Sequence, residues 1–367
     1  MPKRRSSEGD GGSTAERRRP QQLYLIFDNW SRGYSIREVN LPSGSSHLPA
    51  VSGKVAEQRL PPPIFRLAVP RQLPQYFVCA FGTKIIAAHP KDPVFEPTGE
   101  NSIPILGVRK RSIIIGPAQS LFPVYPTYVP VGDRRLFCLH SGFIELLCRS
   151  QREQPSGDNM EWAWCNHKAL PFESNDVSSY AVHPAGPSIL VSTKSTRYGT
   201  TATFSFHTEE FVWKQLGGEW MLPFTGRAHY VRYLEIFVGL SKDPETLGHL
   251  TSNTQCPAPA WKLCQEKLFS DNPGEEHVSA THVYMGSKSK FCLVECILFE
   301  DVRADQVLEE RGLRQRGSCY MYRLMKFSLR FDMNGDLKTK SQRVGYFKVP
   351  EKTSIELIFG GPVAFVL

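Results

Sequence analysis

Past residue 20 the chain alternates between short apolar runs and clusters of Gly, Pro, Asn, Asp and Ser. The runs are Leu23–Asp28, Gln75–Phe81, Arg111–Ile115, Arg135–His140, Phe143–Cys148, Ser188–Thr193, Thr203–His207, Tyr233–Leu240, Phe291–Phe299, Phe327–Asp332 and Ser354–Phe359. Rich in β-branched and aromatic residues and bounded by turn formers, each predicts a strand. Phe81-Gly82-Thr83, Ser141-Gly142 and Asn334-Gly335 supply residues that tolerate positive φ between adjacent runs, so antiparallel hairpins follow. Helical composition is confined to Arg303–Arg311 and Trp261–Leu268, placed where insertions between strand pairs would fall. The C-terminal stretch, residues 354–367, is expected to pair with the N-terminal strands and so remove two exposed edges.

An internal frame recurs along this pattern. Phe206 and Trp213 are an aromatic pair separated by six residues, and Leu222-Pro223-Phe224 follows. Phe27 and Tyr34 repeat the spacing ahead of Leu41-Pro42; Trp162 precedes Leu170-Pro171-Phe172; Phe331 precedes Val349-Pro350 without a second aromatic. Pro171 and Pro223 are 52 positions apart, and a period near fifty is that of one four-stranded unit in a radial repeat fold.

The aromatic pair followed by Leu-Pro resembles the outer hairpin of a kelch blade. The whole chain past residue 20 is similar to a large plant family, much expanded in grasses, of uncharacterised proteins with degenerate propeller domains. The resemblance implies an all-β fold: a β-propeller of degenerate kelch-like, four-stranded antiparallel blades, six of them, with seven as the alternative. Residues 21–367 would form the propeller and residues 1–20 a disordered basic tail. In that fold the aromatic residues become inter-blade core. The resemblance carries no catalytic residues, and the Gly-Gly that kelch blades place after their second strand is missing from that position.

Composition agrees with a globular β protein: 41% hydrophobic, 22% charged, with 28 Pro and 28 Gly that favour many short elements. The net charge of +8 contains no basic stripe interleaved with aromatics, so specific nucleic-acid binding is not indicated. Nine scattered cysteines, an odd number, and no signal peptide read as a reduced, intracellular protein of the cytoplasm or nucleus. Prolines interrupt the most apolar stretch, residues 112–131, so no membrane span is expected.

Candidate chemistry is sparse. Asp332-Met333-Asn334-Gly335-Asp336 has the oxygen spacing of a calcium loop, but Leu337 and Arg343 occupy the positions where such a loop needs Gly and Glu. Cys292 and Cys296 share a strand face, and Cys165 adjoins His167, without the paired Cys-x-x-Cys spacing of zinc sites. No nucleophile elbow, phosphate loop or dinucleotide fingerprint occurs. We therefore expect no catalytic residue, cofactor or metal.

Lys3, Arg4 and Arg5, then Arg17, Arg18 and Arg19, have the form of a two-cluster nuclear-import signal, whose partner would be an import receptor. The expected function is a non-catalytic protein-interaction or scaffold module, monomeric, binding an unknown protein or peptide. Alternatives are a propeller enzyme acting on a sugar or small metabolite, and a substrate-recognition subunit of a ubiquitin ligase, although no F-box precedes the repeats.

Overall fold

The structure is a computed structural model that describes residues 22–28, 33–41, 57–69, 74–88, 103–119, 125–151, 160–183, 187–217, 220–253, 260–286, 288–300, 318–351, 353–354, 357 and 360–367. The basic clusters at 3–5 and 17–19, Pro42, and the helical expectation for 303–311 lie outside the described residues.

The chain is built from antiparallel strands that follow one another in groups of four. The first segment supplies β1 (Leu23–Asp28), β2 (Tyr34–Val39), the two-residue β3 (Glu57–Gln58) and β4 (Pro63–Leu67). A second group is β5 (Tyr76–Ala80), β6 (Lys84–Ala88), β7 (Ile103–Gly107) and β8 (Ser112–Gly116). The third is β9 (Thr127–Val131), β10 (Arg135–His140), β11 (Phe143–Gln151) and β12 (Met160–Ala169). The fourth is β13 (Val177–Val182), β14 (Ser188–Lys194), β15 (Thr201–His207) and β16 (Val212–Leu216). The fifth is β17 (Phe224–Val231), β18 (Ile236–Ser241), β19 (His249–Asn253) and β20 (Trp261–Lys267). The sixth is β21 (Glu275–Tyr284), β22 (Lys290–Glu300), β23 (Ser318–Phe331) and β24 (Leu337–Lys348), and β25 (Val363–Val366) ends the chain.

Within the second to sixth groups sequential strands pair as a meander; in the first, β1 pairs with β2 and β2 with β4, while β3 pairs with β24. The first group lacks a strand of its own in front of β1, and β25 fills that place: Leu23 to Ile26 pair antiparallel with Val366 to Val363. The terminal pairing expected from the sequence thus forms, but through residues 363–366. Ser354, described within the run 354–359, is not in a strand, and Leu357 is helical with its N–H directed to Ser354 Oγ at 3.4 Å, a weak version of a serine cap.

The apolar runs read as continuous because both faces of their strands are buried. On β1, Leu23, Leu25 and Phe27 join a cluster with Val294, Cys296 and Tyr322 of the sixth group, while Tyr24 and Ile26 point the other way, to Ile85 and Leu106 of the second. The same division repeats round the molecule. Separate clusters join the second group to the third (Ile86 with Leu136), the third to the fourth (Phe137 with Phe206), the fourth to the fifth (Leu190 with Phe237) and the fifth to the sixth (Val238 with Leu293). No sheet buries its own faces; each is covered by the groups before and after it, and the sixth covers the first.

The recurring frame is now explained by register. Phe206 and Trp213 are direct cross-strand partners in the β15–β16 hairpin, with ring centroids 4.7 Å apart. Four turn residues between them account for the spacing of six. Phe331 lies on the equivalent β23, Trp162 on the equivalent outer strand β12, and Pro171, Pro223 and Pro350 each follow an outer strand. The first copy is out of step. Phe27 and Tyr34 belong to the β1–β2 hairpin, one strand further in, where Tyr34 pairs with Asp28 and Phe27 with Ser35. The spacing is generic to a short hairpin, so it marks hairpins rather than one position in the repeat.

A second correction concerns residues 261–268, read as helical. They form the outer strand β20, paired with β19 from Asn253↔Trp261 to His249↔Lys267. Helix propensity differences among Lys, Gln and Glu are a few tenths of a kcal/mol each, whereas a helix here would leave one edge of β19 unpaired. No described helix is long and apolar enough to cross a membrane.

Candidate functional site

The innermost strands β5, β9, β13, β17, β21 and β25 all border one cavity of about 990 Å³. Aromatic residues line it on several strands, among them Phe77, Tyr128, Tyr180, Tyr230 and Tyr284. Charge enters through Arg227 on β17 and Asp133 in the β9–β10 turn.

Arg227 is placed there by an irregularity. Pairing of β17 with β18 breaks between Thr225 and His229, and the released segment pairs in parallel with the neighbouring innermost strand instead: Gly226 with Ser179, Arg227 with Tyr180, Ala228 with Ala181. Gly226 takes φ +64, a conformation that side chains other than glycine seldom adopt, and a Cβ there would meet no atom within 4 Å. The constraint is therefore conformational, and it aims Arg227 at the cavity. Bulges of this kind commonly re-aim a side chain at a site. No hydrogen bond or ion pair holds the Arg227 guanidinium among the described residues.

Two imidazoles share this region of the wall. His229 and His282 meet edge to face with centroids 5.1 Å apart. Burial drives the His282 pKa down to about 4; Arg227 pushes it the same way, and a hydrogen bond to the Val238 backbone opposes both. His229 is likewise held well below the usual imidazole range, by burial first, then by Arg227 and His282. Both rings are neutral at pH 7. For His282 a bond to a backbone carbonyl places the proton on the bonded nitrogen. Nε2 is then an acceptor, buried and without a partner. Burial also lifts Cys79 to about 11, against the pull of Arg227, so its thiol stays protonated.

Behind the cavity wall, buried polar side chains gather round two carboxylates, Glu145 and Glu295. Tyr128 donates to Gln119 Oε1 at 3.1 Å, Gln119 Nε2 donates to Glu145 Oε2 at 2.8 Å, and His140 Nε2 lies 3.0 Å from the same carboxylate oxygen. In the sixth group the fully buried Glu295 receives Arg323 Nη1 and His277 Nδ1, each at 2.9 Å, and the Ser270 N–H at 3.1 Å. Arg323 Nη1 also donates to Leu268 O at 2.8 Å, which ties the β20–β21 connection to the sheet. These networks fix loops and strands; on the cavity wall, Arg227 is exposed and His282 Nε2 is buried without a partner.

A second feature lies on the outer rim. β8 is the edge of its sheet, and Ile113, Ile114 and Ile115 are 51%, 39% and 65% exposed. Arg109, Lys110 and Arg111, all exposed, form the turn that leads into it. Other outer strands are protected in familiar ways: β16 carries exposed Lys214 and Gln215, β20 carries Lys262 and Lys267, and β24 is covered by β3 through Tyr346↔Glu57 and Phe347↔Gln58. β8 has three consecutive apolar side chains and no charge on the strand itself.

The candidates read from the sequence fall elsewhere. Asp332 spends its carboxylate on the backbone N–H groups of Asn334 and Asp336 and on Lys338 Nζ at 2.8 Å, contacts that hold its pKa near 2. The loop is a hairpin turn in which Gly335, but not Asn334, takes positive φ. Cys292 and Cys296 are buried core thiols, pushed up to about 12. No group of three or more metal-binding side chains occurs among the described residues. Sequence reasoning missed Arg227 and His282; the only local sign was Thr225-Gly226-Arg227, a glycine inside a strand, which marks a bulge.

Among solved structures, the chain is similar to Kuenenia stuttgartiensis hydrazine synthase at 8% identity and a TM-score of 0.37, covering 74% of this chain and 68% of that one. It is also similar to the Cps50 (Swd1) β-propeller domain of Myceliophteria thermophila at 12% identity and a TM-score of 0.28, covering 46% of this chain and 47% of the other. No curated protein matches the sequence. A family model described as a protein of unknown function, DUF1668, matches residues 20–346, and the chain belongs to that family.

Proposed function

We propose that the protein is a six-bladed, kelch-like β-propeller acting as a non-catalytic protein-interaction module. Its β8 edge would receive an extended, acidic segment of a partner protein. The propeller reading draws support from six four-stranded groups, six core clusters that link each group to the next and the last to the first, and a cavity bordered by every innermost strand. The Phe206–Trp213 hairpin and the prolines after outer strands support the kelch-like comparison.

The single observation that carries the interaction reading is the exposed Ile113–Ile115 edge beside Arg109, Lys110 and Arg111. An added strand would pair with the open backbone of β8, cover the isoleucines with its own apolar residues and place acidic residues against the basic turn. The test is selection of a random peptide library displayed on phage against the purified full chain. Selected peptides should combine β-branched residues with an acidic end, and their affinity should fall at least tenfold against an Ile114→Asp variant with an unchanged unfolding midpoint. Peptides without acidic enrichment, or equal binding to both proteins, would refute it.

A further inference from the structure

Independently of the β8 edge, we infer that Cys148 and Cys165 form a dithiol that hydroperoxides oxidise to a disulfide across the outer hairpin of the third group.

Register and exposure carry this assignment. In the β11–β12 pairing Leu146 stands opposite Cys165 and Cys148 opposite Ala163, so the two cysteines are diagonal neighbours on one face of the sheet. Cys148 packs with Leu170 and Phe172 against the cluster that joins the third group to the fourth, so that face is the seam between two groups. The ladder slips immediately beyond Cys165: Ile144 pairs with Lys168, but Glu145 with Asn166. An extra residue of this kind raises the local right-handed twist, which draws one set of diagonal side chains together. The Cys148 and Cys165 thiols are in hydrogen-bond contact. Both are half-buried and open to a small oxidant, whereas Cys138, Cys264, Cys292 and Cys296 are buried.

A hydroperoxide supplies the two-electron oxidant. Burial first, and then Cys165, push the Cys148 thiol up, which keeps its proton on and assigns the first attack to Cys165. The Cys165 sulfur attacks the peroxide: an S–O bond forms, the O–O bond breaks, and the alcohol, or water from hydrogen peroxide, leaves with the thiol proton. The Cys148 sulfur then attacks the Cys165 sulfenic acid. An S–S bond forms, the S–O bond breaks, and hydroxide departs with the Cys148 proton as water. Diagonal Cα atoms stand roughly 7–8 Å apart, more than a relaxed disulfide spans, so the strands must shift to close the bond. A bond formed under that constraint is readily reduced by a free thiol, which makes the modification reversible.

The experiment treats the reduced full chain with hydrogen peroxide, alkylates the remaining thiols after unfolding and maps the cysteines by mass spectrometry. A Cys148–Cys165 disulfide should appear in a monomer about 2 Da lighter than the reduced chain, at a dose that leaves Cys292 and Cys296 as alkylated thiols. Dithiothreitol should restore the reduced mass. Cys148→Ser should lose the lighter product and accumulate sulfenic acid at Cys165, trapped with dimedone. Cys165→Ser should lose the product too, with several-fold less trapped acid at Cys148. Oxidation of Cys292 and Cys296 before any Cys148–Cys165 bond forms would overturn the assignment in the parent protein, whatever the variants do. So would pairing of either cysteine with a third, or a lighter product that persists in both variants.

Discussion

Acidification offers a direct measure of the buried imidazole at the cavity. His282 has a folded-state pKa near 4, against about 6.5 for a free imidazole. Between these values the unfolded chain binds a proton that the folded protein does not. The stabilisation that comes from keeping the ring neutral is complete above about pH 6.5 and is lost progressively as the pH falls toward 4. At about 1.4 kcal/mol per pH unit the full window is worth about 3 kcal/mol, and lowering the pH from about 7.5 to about 4.5 should remove roughly 2.5 kcal/mol of it. Many carboxylates also respond over this range, so the quantity to measure is a difference. Urea unfolding of the parent protein and of His282→Asn should be followed at both pH values. The variant can retain a hydrogen bond to the Val238 backbone but has no proton to bind. It should lose about 2.5 kcal/mol less on acidification than the parent protein, with slightly more relief because His282 also depresses His229. Loss in parallel, within about 0.5 kcal/mol, would refute the claim that a neutral His282 is part of what acid destroys.

Two further outcomes follow from the same contacts. Glu295→Gln leaves Arg323, itself 8% exposed, without its buried anion and should cost about 3–5 kcal/mol in urea unfolding. Asp271→Asn, which breaks the exposed pair with Lys267, should cost under about 1 kcal/mol; similar losses from both would show that the buried network does not anchor the β20–β21 connection. Gly226→Ala should destabilise by about 1 kcal/mol or more through its positive φ, since a Cβ meets nothing there. Gly199→Ala, also at positive φ with open space, should cost a similar amount, and no loss from either would refute the conformational reading.

Strand identity was legible where a run is buried on both faces. Leu23–Asp28 and Arg135–His140 were bounded to the residue, because unbroken hydrophobicity ends where the turn residues begin. Trp261–Lys267 was misread because an outer strand has one exposed face and a composition as compatible with helix as with sheet; its strand state comes from the edge of β19. The terminal stretch 354–367 was expected to close onto the N-terminal strands, and within it Val363–Val366 does so beside β1. Which part of that stretch pairs was decided by register against a strand more than three hundred residues away.

The sequence by itself determined that this is a β protein of repeated hairpins: periodicity and turn chemistry are local, and Phe206 and Trp213 find each other through four intervening turn residues. Tertiary structure alone decided the rest. That Leu25 faces the sixth group and Ile26 the second depends on what stands on either side of the sheet. That Arg227 faces a cavity with His282 depends on a break in one strand's pairing that is made up by its neighbour. Burial and proximity, which keep His229 and His282 neutral, are properties of the assembled groups and are not carried by any segment of the chain.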